Sequence, residues 1–235
     1  MVKDRIKSVA GYFTKGEILL WLVSVSTIVI SFLIFDRGSF LTLIASLIGV
    51  TSLIFNAKGN PFGQVLIIIF SVFYGIISYS FAYYGEMITY LGMTAPMSVF
   101  SLISWLKNPY NDNKSEVKVN KISLRDIVIM ICLSAIVTTA FYFILNVLNT
   151  ANLIPSTVSV LTSFIAVFLT FRRSPYFAIA YALNDIVLVV MWIMASLSDM
   201  SYISVAVCFL IFLVNDIYGF INWKKMQKRQ NDLFF

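Results

Sequence analysis

Histidine is absent from this chain, and its two cysteines, Cys132 and Cys208, both lie inside apolar runs without CxxC spacing. The first absence removes the commonest metal ligand and general base, and the second removes a thiolate cluster or disulfide framework. No metal, cofactor or histidine-dependent chemistry is therefore expected. Charge is scarce too: Asp, Glu, Lys and Arg make up 12% of the chain, about half the ~25% usual in soluble proteins. Apolar surface fills the rest, with 60% of the 235 residues hydrophobic, 16% aromatic and a mean hydropathy of +0.89. A soluble domain of this length cannot bury so much, so the chain reads as an all-α, polytopic membrane protein.

A spanning helix needs about 20 mostly apolar residues, and eight runs meet that need, near 17–35, 39–57, 62–84, 86–106, 124–147, 153–171, 175–197 and 201–223. The fourth is broken by Thr89, Thr94, Pro96, Ser98, Ser101 and Ser104, so it should face protein or a cavity rather than lipid. The first run is too long for a signal peptide and lacks a small-residue cleavage site, so it is expected to stay as a helix. Lys and Arg exceed Asp and Glu by 17 to 11, but in short clusters between apolar runs rather than as a basic stripe, so no nucleic-acid partner is expected. If the N-terminus is cytoplasmic, every basic residue except Arg37 falls on the inside, including Lys3, Arg5 and Lys7. That bias predicts a cytoplasmic location for both termini. Asp36, Glu86 and Asp199 then fall in outer turns, and 108–123 forms a cytoplasmic loop of linker type.

Two turns match across the chain, Asn60-Pro61-Phe62 and Ser174-Pro175-Tyr176, each just after a basic residue. Two helix ends match as well, Ser104-Trp105-Leu106-Lys107 and Asn222-Trp223-Lys224-Lys225. The expected plan is one membrane domain. It comprises an extra N-terminal helix (1–38), a first three-helix bundle (39–107), the loop (108–123), a connector helix (124–152), a second, parallel bundle (153–223) and a cytoplasmic tail (224–235).

Polar residues set into the apolar runs mark the candidate site. Asn184-Asp185-Ile186 is followed by Trp192, and Asn215-Asp216-Ile217 by Trp223. A carboxylate at mid-bilayer costs roughly 2.5–3.5 kcal/mol, so by default it faces a cavity or a partner. Seven residues turn a helix by about 700°, which puts Asp185 and Trp192 on one face with Asn184 beside them. In the last helix Asn215 and Asn222 align with Gly219 between them, and Tyr218 lies near Asp216. Gln64 and Tyr90 are the counterparts expected from the first bundle. Amides and carboxylates pair with hydroxyls and carboxamides, while indole and phenol faces stack on a flat ring or attract a cationic one. Trp105 and Trp223, beside lysines, suit an interfacial aromatic belt. Asn and Asp can also brace one helix against another, so ligand contact and bracing both stay open for these residues.

The Asn60-to-Gly63 turn, the Tyr84-Gly85-Glu86 start of the fourth helix ending at Trp105, the Arg172-Arg173 turn, Asn184 and the Asn215-to-Trp223 stretch together resemble the PnuC family of bacterial vitamin transporters. The resemblance spans roughly 40–225. It implies a three-one-three helix plan like that of the sugar-transporting SWEET proteins, and uptake of nicotinamide riboside by facilitated diffusion with trapping by an intracellular kinase. It also implies residence in the bacterial cytoplasmic membrane and a small-molecule substrate, with a trimeric homo-oligomer as the assembly considered. Tyr90 and Met97 stand where some relatives carry Gln and Asn, which leaves thiamine, riboflavin and deoxyribonucleosides as alternative substrates. An ion- or proton-coupled carrier using Asp185 and Asp216 is the mechanistic alternative. The lack of clustered catalytic residue types argues against a membrane-embedded enzyme.

Overall fold

The computed structural model describes residues 11–80 and 83–232. Lys3, Arg5 and Lys7 lie outside the described residues. Among the described residues, eight helices are long and apolar enough to cross a membrane: α1 Lys15–Phe35, α2 Phe40–Ala57, α3 Phe62–Ser80, α4 Tyr84–Leu106, α5 Leu124–Val147, α6 Leu153–Phe171, α7 Phe177–Ser196 and α8 Ile203–Asp232, the last preceded by a 3-10 turn at Met200–Tyr202. The eighth span overruns the expectation, because the helix continues through 224–232 where a tail was predicted. Between α4 and α5 the expected linker folds instead into a hairpin of β1 (Pro109–Tyr110) and β2 (Asn113–Val117).

Six helices form a ring in the order α2, α3, α4, α6, α7, α8, with α8 closing against α2 and α4 meeting α6. Helix α1 lies outside the α2–α8 seam and α5 outside α6. Along α5 the side chains of Leu124, Val128, Ile131, Ile136, Phe143 and Val147 are all exposed, a face that only lipid or another apolar surface can cover.

The local features that match between the two triplets extend to the starts of α1 and α5. Each begins with a capping box: Thr14 accepts from the Glu17 N–H and Ser123 from the Asp126 N–H, while each acid returns to its cap residue's N–H. Each of those acids then pairs with the basic residue that ends the following helix, Glu17 with Lys58 at 3.1 Å and Asp126 with Arg172 at 2.8 Å. The next residue is left-handed in both halves, Gly59 at φ 66° and Arg173 at φ 55°. There the chain reverses through matching bonds, Asn60 N–H to Phe55 O and Ser174 N–H to Leu169 O, both 3.0 Å. The first helix, expected to be an extra, thus begins with the same capping and ion-pair pattern as the connector.

Helix α4 carries one irregularity. Its turn Thr89–Thr94 is a π-helix, and Pro96 follows it. Pro96 has no N–H to donate and its ring crowds the carbonyl of Gly92, so the wider turn absorbs a conflict that a regular helix could not. Thr89, Thr94, Ser98 and Ser101 of this helix are all buried inside the ring.

Candidate substrate site

At the centre of the ring lies an enclosed cavity of about 40 Å³. Both halves line it: Asn56 from α2, Phe70 from α3, Tyr90 and Thr94 from α4, Phe177, Tyr181, Asn184 and Asp185 from α7, and Phe212 and Asp216 from α8. The volume suits a water or two, whereas a nucleoside-sized ligand needs a pocket of roughly 300 Å³ or more. The ring is therefore closed, and admitting such a ligand requires its helices to part.

Asn184 is the most fully anchored polar group in the cavity wall. Its Oδ1 accepts from Thr162 Oγ1 at 2.8 Å, Ser163 Oγ at 3.0 Å and Ser159 Oγ at 3.3 Å, all from α6. Hydroxyl donors on the oxygen fix the orientation of an amide that itself lines the cavity. Asp185 of α7 and Asp216 of α8 both line the cavity, within electrostatic reach of each other, and Asp185 Oδ2 is buried with no hydrogen-bond partner among the described residues. Tyr90, Phe70 and Tyr74 form an aromatic cluster from the first half, with the Tyr74 and Tyr90 ring centroids 4.4 Å apart. The site so composed offers an oriented amide, a pair of carboxyl groups and several ring faces.

Four other residues singled out in the sequence stand at its edges or beyond. Gln64 is buried and donates to Asn56 Oδ1 at 2.8 Å, so it reaches the cavity through that residue. Asn215 donates to Ser24 Oγ of α1 at 2.9 Å, away from the cavity. Tyr218 donates to Glu17 Oε1 at 2.9 Å and Asn222 to the Ala57 carbonyl at 2.7 Å. Both face a separate groove of about 480 Å³ outside the ring, at the end where the chain is most basic. Although larger, that groove lies between α1, the hairpin and α8, not between the two halves.

Trp192 lies on the opposite side of the cavity from that groove. Its indole N–H donates to the Tyr74 hydroxyl at 2.7 Å, and its ring packs on Tyr83 and Tyr202 at centroid distances of 4.9 and 5.8 Å. It closes that end of the ring. The other end is closed by Trp105 and Trp223, which correct the interfacial-belt expectation: both are 0% exposed. Each indole N–H donates to a helix-terminal carbonyl of the other half, Trp105 to Thr170 O at 3.0 Å and Trp223 to Asn56 O at 2.7 Å. Each carbonyl also accepts from a turn N–H, Asn56 O from Gly59 and Thr170 O from Arg173, both at 2.9 Å, so the indole fills its second lone pair. The expected outer-turn position of Glu86 is corrected as well, since its side chain is fully buried in the first turn of α4.

Cavity residues not singled out in the sequence include Asn56, Phe70, Phe177, Tyr181 and Phe212, whereas Thr94 belongs to the polar run expected to face protein or a cavity. Asn56 had a visible signal, an amide near the end of an apolar run; the three phenylalanines are among 21 and had none.

Two four-helix halves around an enclosed polar cavity, plugged by aromatic side chains at both ends, define a membrane carrier. Residues 39–225 match the family model described as nicotinamide mononucleotide transporter, and the chain belongs to that family. The nicotinamide riboside transporter PnuC of Neisseria mucosa is 25% identical over 217 residues, which cover 90% of this chain and 82% of the relative. The crystal structure of the vitamin B3 transporter PnuC superposes with a TM-score of 0.81 at 23% identity, covering 93% of this chain and 94% of that one. The resemblance read from the sequence, the all-helical eight-span fold and the assignment as a transporter rather than an enzyme agree with these matches.

Proposed function

We propose that this protein carries nicotinamide riboside across the bacterial cytoplasmic membrane by facilitated diffusion, with phosphorylation inside the cell trapping the product. The observation that carries this reading is the make-up of the cavity wall, where the Asn184 amide and the Asp185–Asp216 pair face Tyr90, Phe70, Phe177 and Phe212. A pyridinium riboside has a flat cationic ring for the aromatic faces and carboxylates, and a carboxamide and hydroxyls for the amide. The name of the Neisseria relative supports the same substrate. Its vitamin B3 counterpart among solved structures supports the fold on which the reading stands. The basic end, with the Trp105–Trp223 plug, is the cytoplasmic face, and the Trp192 end opens outward.

The test is uptake by proteoliposomes. Labelled nicotinamide riboside should equilibrate across the membrane with no ion gradient, and excess unlabelled riboside should compete while its mononucleotide, thiamine and riboflavin do not. Preference for the mononucleotide would remove the trapping step, and accumulation that depends on an imposed gradient would remove facilitated diffusion. The neighbouring carboxyls favour a second reading, exchange of a proton for the cationic substrate. A hydrogen bond between two carboxyl groups requires one proton, and an arriving cation makes that proton dispensable. Proton release measured on substrate binding, and its loss in Asp216→Asn, would distinguish this from simple diffusion.

A further inference from the structure

Outside the cavity, the acidic side chain of Glu86 stands without a role in that scheme. Glu86 is 0% exposed, and its carboxylate has no counter-charge among the described residues, the Ser159 hydroxyl being the polar group beside it. None of the ion pairs among the described residues involves it. A buried carboxylate is costly even when paired, and an unpaired one is not something packing alone selects. Its surroundings are aromatic: Tyr83 precedes the helix, and Tyr74 and Tyr90 lie within its electrostatic reach. Trp192 continues the cluster, with its ring 4.9 Å from Tyr83 and 6.3 Å from Tyr74 between centroids. The Ser159 hydroxyl, near Glu86, donates to Asn184 in the cavity wall, so the acid and the cavity are one side chain apart.

We propose that Glu86 and the rings of Tyr83, Tyr74 and Trp192 form a second binding station on the transport path, specific for a cationic aromatic ring. The inference rests on the proposed pyridinium substrate and adds to it a site that selects charge before the cavity is reached. Aromatic faces with a carboxylate behind them attract a flat cation through its ring charge, and the acid gains the counter-charge that the resting fold does not supply. The station lies at the end of the ring opposite the Trp105–Trp223 plug, beside the junction of α3 and α4. A cation entering there meets Glu86 first and then the Asn184 amide. The neutral dihydro form of the same riboside, identical in ribose and carboxamide, gains nothing from Glu86.

Uptake by proteoliposomes of nicotinamide riboside and of its neutral dihydro form tests this directly. Wild-type protein should prefer the charged compound. Glu86→Gln should raise KM for the charged compound by about tenfold, the size of one charge-assisted contact, and leave that for the neutral compound within about twofold. Glu86→Asp should keep most of the preference. Glu86→Met, neutral and suited to a buried apolar site, repeats the measurement should the amide be poorly tolerated. A folded neutral variant whose charged-to-neutral ratio matches wild type overturns the role of Glu86 while leaving the substrate reading intact. Wild-type protein that takes up neither compound overturns both.

Discussion

Trp105 and Trp223 stack with ring centroids 5.4 Å apart, and each donates its indole N–H to the penultimate residue of a helix in the opposite half, Thr170 and Asn56. The residue before each tryptophan repeats the pattern one carbonyl further on: Ser104 donates to Phe171 O at 3.1 Å and Asn222 to Ala57 O at 2.7 Å. Two residues further on, the end of the hairpin and the segment after it donate as well, with the Val117 N–H on Gly59 O at 2.9 Å and the Asn120 N–H on Arg173 O at 3.0 Å. Six donors thus meet the carbonyls of Asn56, Ala57 and Gly59 and of Thr170, Phe171 and Arg173 in matched fashion. The two halves are latched at this end by hydrogen bonds that must break before it opens.

Removing one latch donor should therefore loosen closure. Trp223→Phe keeps the ring but removes one of two donors to the Asn56 carbonyl, which still accepts from the Gly59 N–H, at a cost of about 0.5–1.5 kcal/mol. The expected outcome is a lower unfolding temperature in detergent and easier thiol labelling of a cysteine placed at Ala178, which packs beside this plug. Trp105→Phe should do the same through Thr170. Unchanged melting and labelling in both variants would show that water replaces the indole without loss.

Asn184→Ala should strike binding harder than folding. The amide's oxygen is held by hydroxyls of α6 and the residue lines the cavity, so truncation removes an oriented polar group beside the ligand. A hydrogen bond lost from a buried site is worth roughly 1.5–3 kcal/mol when one partner is charged and about half that when both are neutral. Calorimetric titration with nicotinamide riboside should show at least about tenfold weaker binding. Affinity within twofold of wild type would take Asn184 out of the site.

The sequence showed the membrane-spanning plan because hydropathy is a local property, and it showed Asn184 and Asp185 because polar groups in an apolar run stand out. Helix phase was harder to read. Asn215 and Asp216 are about 100° apart on one helix, and packing turned Asp216 toward the cavity while Asn215 went to Ser24. Asn222, seven residues on, shares the face of Asn215 and so left the cavity as well. The matching starts of α1 and α5 were written in Thr14-to-Glu17 and Ser123-to-Asp126, but a capping box marks any helix start. It becomes a shared pattern only once Lys58 and Arg172 are seen to pair with its acids. The burial of Trp105 and Trp223 was hidden by the neighbouring lysines, which suggested an interface.

Gly49→Ala offers a way to reduce cavity space from outside. A methyl at that position would collide with the Phe212 ring and touch Phe70, and both rings line the cavity. A displaced Phe212 can move only toward the open space, so overpacking of about 1–3 kcal/mol is shared between fold and ligand. The expected result is weaker substrate binding in a protein that still folds, partly restored by Phe212→Leu. Binding equal to wild type in Gly49→Ala would place the substrate elsewhere.

Tyr218→Phe and Asn222→Ala separate the two polar regions. Both residues were attractive in the sequence as ligand contacts, yet one holds Glu17 and the other the Ala57 carbonyl, in the groove outside the ring. Glu17 also accepts from Lys58 and from the Thr14 N–H, so losing the phenol leaves its charge partly compensated. A cost of about 0.5–1.5 kcal/mol is expected for each bond. Each variant should lower the unfolding temperature by a few degrees, as about 1 kcal/mol does in a chain of this size, while nicotinamide riboside affinity stays within twofold. The reverse result, normal melting with binding lost, would move the substrate from the central cavity to the groove between α1 and α8 and would make the larger of the two spaces the transport site.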